Sequence, residues 1–130
     1  MEKSRDEIEQ IAKQIVDSIL AVHRELGPGL LESTYQACLA HELKSRGIEV
    51  CCEVRLPVHY RGLKIEAGYR IDMLIAACII VENKSVKALA PIDEAQLLTY
   101  LKLSGHKLGF VVNWNVPLIK DGIKRMVNKL

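Results

Sequence analysis

The chain has 130 residues, 49% of them hydrophobic, and its 18 Lys and Arg against 16 Asp and Glu give a formal charge of +2. That length suits a single domain over 1–130 with a real core, and the hydrophobic share excludes a disordered chain. The near-neutral balance excludes a strong overall bias toward nucleic acid or membrane, though not a local basic patch, and no run of about 20 apolar residues suits a membrane-spanning helix.

The charged start, Met1 to Glu7, lacks the apolar stretch of a signal peptide, so a cytoplasmic protein is expected. Ile8, Ile11, Ile15, Ile19 and Val22 recur at spacings of three and four and predict a helix over 6–25. Gly27-Pro28-Gly29 ends it in a tight loop. A second helix is predicted over about 30–46, closed by Gly47, with an apolar face of Leu31, Tyr35, Cys38, Leu39 and Leu43. A helical wheel puts Glu32 between Leu39 and Leu43, pointing inward; Glu42 falls on the same face, so position alone does not single Glu32 out.

Residues 48–60 read as a strand whose late Pro57 favours a sheet edge. Arg61-Gly62 reads as a turn and Leu63 to Ala67 as the returning strand. Tyr69 to Ile75 and Cys78 to Lys84 are the central strands, joined by Ala76-Ala77, a poor turn by composition. Pro91 opens a helix over 92–104 that is apolar most of the way round and therefore expected to be buried, with Gln96 and Tyr100 on one side. Leu108 to Asn113 is a further strand, and 118–129 a short basic helix. This order predicts an α/β fold, a mixed sheet with helices packed on it. Cys38, Cys51, Cys52 and Cys78 match no zinc spacing and are expected to be reduced thiols.

The chemistry centres on Asp72 and on Glu82-Asn83-Lys84, acids and an ammonium set in otherwise apolar strand sequence. A buried carboxylate costs several kcal/mol unless it is paired or binds a metal. On extended backbone Glu82 and Lys84 share a face, as do Arg70, Asp72 and Leu74. By themselves these residues also fit a structural ion pair between strands.

Gly29-Leu30-Leu31-Glu32-Ser33-Thr34-Tyr35 carries the pattern GxxExxY. With His23 to Pro28, Glu94 to Leu101 and Asn115 to Arg125, it makes the chain resemble the GxxExxY group of small bacterial and archaeal proteins over nearly its whole length. That group is placed in the PD-(D/E)xK nuclease-like superfamily. The resemblance implies a restriction-endonuclease-like core, a central mixed β-sheet flanked by helices. It implies a site of Glu32, Asp72, Glu82 and Lys84, with Gln96 on the helix that follows. Mg²⁺ or Mn²⁺ is the implied cofactor, held by Asp72, Glu82 and Glu32 and by the carbonyl of Asn83. Oxygen ligands of this kind suit a hard cation that neutralises phosphate and activates water, while Lys84 assists the nucleophile or the transition state. The expected function is a metal-dependent nuclease acting on DNA or RNA; the alternative is a non-catalytic module that keeps the fold and binds nucleic acid or a protein. A homo-oligomer or protein partner is compatible with a chain that adds no recognition domain.

Overall fold

A computed structural model describes residues 2–130. Helix α1, Arg5–Leu26, starts at Ser4, whose hydroxyl accepts from the Glu7 N–H at 3.2 Å while the Glu7 carboxylate accepts from the Ser4 N–H at 3.1 Å. This reciprocal cap satisfies two of the donors a helix start leaves open. Ile8, Ile15, Ile19 and Val22 form its buried stripe. Helix α2 is Glu32–Ser45, and α3 is Pro91–Ser104. The strands are β1 Val50–Arg55, β2 Val58–Tyr60, β3 Leu63–Ile65, β4 Arg70–Ile75, β5 Ile79–Lys84, β6 Leu108–Asn113 and β7 Ile123–Val127. Among the described residues no helix is long and apolar enough to cross a membrane.

Five strands form one sheet in the order β1-β4-β5-β6-β7, and β2 and β3 form a separate hairpin. Only β5 and β6 run parallel; the connection between them is α3. The sheet is therefore mixed and has helices on both sides. Ile15, Ile19, Tyr35, Leu39 and Leu43 of α1 and α2 pack with Met73, Val81, Phe110 and Trp114. Leu97, Tyr100 and Leu101 of α3 pack with Ile80 and Val111 on the opposite face. Gly109 permits the close approach of α3, since a Cβ there would stand 2.9 Å from Leu97 Cδ1.

Four local expectations are corrected. The strand over 48–60 is two strands, because Leu56-Pro57 breaks it: β1 stays in the main sheet and β2 turns away with β3. The basic helix over 118–129 is a 3₁₀ turn, Ile119–Gly122, followed by β7 paired antiparallel to β6. Every residue of β6 is buried, and its open edge would leave buried backbone donors and acceptors unpaired. Pairing that edge outweighs the helical spacing of the tail. Helix α3 is buried only along Leu97, Tyr100 and Leu101, and Ile92 is 69% exposed. Glu32 is the first residue of α2 and exposed, and Leu31 before it is 73% exposed, so neither belongs to the buried face.

The Ala76-Ala77 link makes a hairpin after all. Both residues take left-handed backbone angles, φ 52° and 56°, at a cost of roughly 1–2 kcal/mol each for lack of glycine. The gain is the register Met73↔Val81, Leu74↔Ile80, Ile75↔Ile79, which sets Asp72 beside Glu82.

Candidate active site

The ladder between β4 and β5 stops at Met73↔Val81. At the next rung the side chains replace backbone partners. The Asp72 N–H donates to Glu82 Oε2 at 2.8 Å, and the Asn83 N–H donates to Asp72 Oδ2 at 2.8 Å. Each carboxyl thus spends one oxygen on holding the opposite strand. Among the described residues no protein group donates to Asp72 Oδ1 or Glu82 Oε1, and no buried polar side-chain atom lacks a partner, so these two oxygens remain in reach of solvent.

Alternation along β5 sends Glu82 and Lys84 to the side of Ile80, under α3, and Asn83 to the side of Val81, under α2. Glu82 is 4% exposed; Asp72 and Lys84 are half-buried. Glu32 reaches the same end of the sheet from α2, its carboxylate accepting from the Ser85 N–H at 3.2 Å, while Ser85 Oγ donates to Leu30 O at 2.8 Å. A cleft of about 400 Å³ lies between Glu32, Ser33, Gln36, Cys52, Glu53 and Asp72. Asp72 and Glu82 are thus joined across the strands with Lys84 two residues on, and Glu32 shares a cleft with Asp72, at its rim rather than in the apolar interior.

The electrostatics are those of crowded acid. Burial, and then the charge of Asp72, push the Glu82 carboxyl up to about 8; Lys84 and the Asp72 N–H oppose this. Burial also raises Asp72, with Glu53 and Glu32 adding to it and the Asn83 N–H and Lys84 opposing. Burial raises the Tyr100 phenol as well, with Glu82, Asp72 and Tyr69 contributing. No ion pair within 4.0 Å involves Asp72, Glu82 or Lys84 among the described residues, so a tight interstrand salt bridge is not what these groups form. The free oxygens of Asp72 and Glu82 are of the kind a hard divalent cation takes once both carboxyls are ionised. No three Asp, Glu, His or Cys side chains close into a complete ligand cluster among the described residues.

Behind the acids, Asn83 is clamped. Its amide oxygen accepts from Trp114 Nε1 at 2.9 Å, and its amide nitrogen faces Gln36 Oε1 at 3.4 Å and Met73 Sδ at 3.2 Å. Trp114 stacks on Tyr35 with ring centroids 4.8 Å apart. The Tyr35 hydroxyl donates to Gly27 O at 2.6 Å and accepts from the Leu30 N–H at 3.1 Å. The loop before Glu32 and the strand before Lys84 are thus tied through one aromatic stack.

The sequence model of the PD-(D/E)XK nuclease superfamily matches residues 9–126, from α1 through most of β7. The chain belongs to that superfamily. No curated protein and no solved structure matches it. The mixed five-stranded sheet between helices accords with the superfamily's restriction-endonuclease-like fold, and the superfamily implies nuclease chemistry on nucleic acid, typically with divalent metal.

Around the acids, Glu53 and Trp114 were not expected from the sequence. Gln96 is half-buried on α3, and Tyr100, one turn on, is buried. Glu53 stands opposite Asp72 in the β1–β4 register with φ 55°, a left-handed angle within a strand. Its carboxylate accepts from Gln36 Nε2 at 3.0 Å. Nothing in the local sequence marks Glu53, since its place follows from register alone. Trp114 carried a signal, being the chain's one tryptophan between two asparagines, an apolar ring with a polar handle.

Proposed function

We propose that this protein is a metal-dependent nuclease of the GxxExxY group, its whole length one nuclease domain that hydrolyses phosphodiester bonds in DNA or RNA. The observation that carries the reading is the pair of half-used carboxyls. Asp72 and Glu82 each hold the other strand with one oxygen and keep the second available, with Lys84 two residues away and unpaired among the described residues. A purely structural pair has no reason to leave both acids raised and the ammonium free. Membership of the GxxExxY group is supported by the motif itself: Tyr35 ties back the loop that leads to Glu32.

Asp72 and Glu82 would hold Mg²⁺ or Mn²⁺, with Glu32 through water and Asn83 through its carbonyl; Mg²⁺ accepts a site of few carboxylates completed by water. The ion neutralises phosphate charge and acidifies water when bound. Lys84 places a compact positive charge where negative charge develops on the attacked phosphate. Gln96 donates to substrate from α3. Asp72 and Glu82 must both be ionised to hold the ion, so metal competes with the proton on Glu82 and metal affinity rises with pH.

The test is a cleavage panel of single- and double-stranded DNA and RNA with Mg²⁺ or Mn²⁺, run beside Asp72→Asn and including mononucleotides. Cleavage of a polynucleotide that needs the metal and is lost in Asp72→Asn supports the reading. A folded protein that cuts no polynucleotide under any of these conditions refutes it and leaves a non-catalytic binding module.

A further inference from the structure

The hairpin β2–β3 and the strand ends that carry it form an arm beside the acids. Of four tyrosines, Tyr35 and Tyr100 are 0% and 8% exposed, whereas Tyr60 and Tyr69 are 59% and 48% exposed, and both exposed rings lie on this arm. Residues 55–70 contain four Lys and Arg against one Glu, while the whole chain is only +2, so positive charge is concentrated here and the rest is net negative. The Arg61 guanidinium sits over the Tyr60 ring, 5.3 Å from its centroid.

At the arm's base Arg55 and Arg70 are direct cross-strand partners. Like charges in that position destabilise a sheet. Neither makes an ion pair within 4.0 Å among the described residues. The nearby Glu66 is engaged by Lys64 at 3.3 Å. A cleft of about 210 Å³ opens between Arg55, Pro57, Glu66, Gly68, Tyr69 and Arg70. Arg70 precedes Asp72 by two residues on one strand, a displacement of about 7 Å, comparable to one nucleotide step. Tyr69 immediately precedes Arg70 and lines the same cleft.

We propose that this arm is a binding site for single-stranded nucleic acid: Arg55 and Arg70 take a backbone phosphate next to the one at Asp72, and Tyr69 and Tyr60 stack on unpaired bases. The inference deepens the nuclease reading and rests on it for the phosphate at Asp72. A duplex offers phosphates but hides its base faces, so exposed rings interleaved with arginines suit splayed bases. An opposed arginine pair that makes no ion pair of its own is stabilised by a bound phosphate.

The test is fluorescence anisotropy with labelled single-stranded DNA, single-stranded RNA and blunt duplex, in EDTA, over a salt series. The full chain should prefer one or both single strands to duplex. Arg55→Gln with Arg70→Gln should weaken that binding at least tenfold and flatten the salt dependence by about one phosphate contact. Tyr69→Leu should weaken it about 5- to 100-fold with the salt slope unchanged, in line with loss of one base stack. Lys124→Gln on β7 should change neither. The arginine variant should unfold at a slightly higher temperature than the parent, which separates lost binding from lost folding. The two single strands compared side by side assign the site to DNA, to RNA or to the backbone they share. Equal binding of duplex, unaltered binding in the arm variants, or sedimentation showing a dimer that those variants dissolve would each overturn the proposal. Since EDTA removes cleavage, a chain that binds single strands through the arm yet cuts nothing upholds the site and defeats the nuclease reading.

Discussion

Replacing Glu82 by Gln in metal-free protein should stabilise the fold by an amount that grows with pH. Glu82 is 4% exposed and its carboxyl is pushed up to about 8, by burial first and then by Asp72, from an ordinary value of 4.5. A carboxyl raised in the folded state keeps its proton longer there than in the unfolded chain. Below 4.5 both states are protonated and the group leaves stability untouched. From 4.5 to 8 the unfolded chain binds fewer protons, so stability falls as pH rises, and above 8 the loss is complete. At about 1.4 kcal/mol per tenfold change, a span of this width is on the order of 5 kcal/mol. Gln keeps an oxygen for the Asp72 N–H and cannot ionise. Urea unfolding in EDTA should therefore give nearly equal stabilities near pH 5 and a widening advantage for Glu82→Gln through pH 7 and pH 9. A difference that stays flat with pH, or a variant less stable at pH 9, would refute the burial argument.

Three further outcomes are expected. Lys84→Ala should cut single-turnover cleavage roughly 10²–10³-fold while unfolding and Mn²⁺ binding stay near wild type, and Lys84→Arg should restore it only in part; a folded Lys84→Ala that cuts at the wild-type rate removes Lys84 from the mechanism. Mn²⁺ at a hundred times its dissociation constant should stabilise the wild type by about 2.7 kcal/mol and Asp72→Asn far less, read by thermal shift; equal shifts would sink the ligand assignment. Asn83→Ala strands the Trp114 indole N–H now bonded at 2.9 Å and should cost about 1–3 kcal/mol in urea unfolding, against a loss under about 0.5 kcal/mol if the bond contributes nothing.

The sheet's centre was readable because the apolar residues around Asp72 and the β-branched run Ile79–Val81 suit buried strands, and the acids stood out against them. The amphipathic stripe of α1 was equally plain, its isoleucines returning every turn. Legibility failed where pairing overrode local pattern. The tail at 123–127 has helix-like spacing, yet the open edge of β6 claims it as a strand. Glu32 misled for a related reason. A wheel assumes a helix already under way, whereas Glu32 begins one, and its direction is set by Ser85 across the sheet. Glu53 could not be seen at all, since only the register of β1 on β4 brings it opposite Asp72.

The mutual grip of Asp72 and Glu82 bears on how such a site could decay. Each acid doubles as a rung of the sheet, so a lineage released from the need to cut could replace either one only by a side chain that keeps the acceptor oxygen: without it the strands would part at that rung. Lys84 has no such second duty, as its side chain closes no bond in the frame. Silenced descendants of this fold should accordingly change the lysine first and keep an acceptor oxygen, acid or amide, at both positions long after the chemistry has gone, so that the oxygens record architecture where the lysine records use.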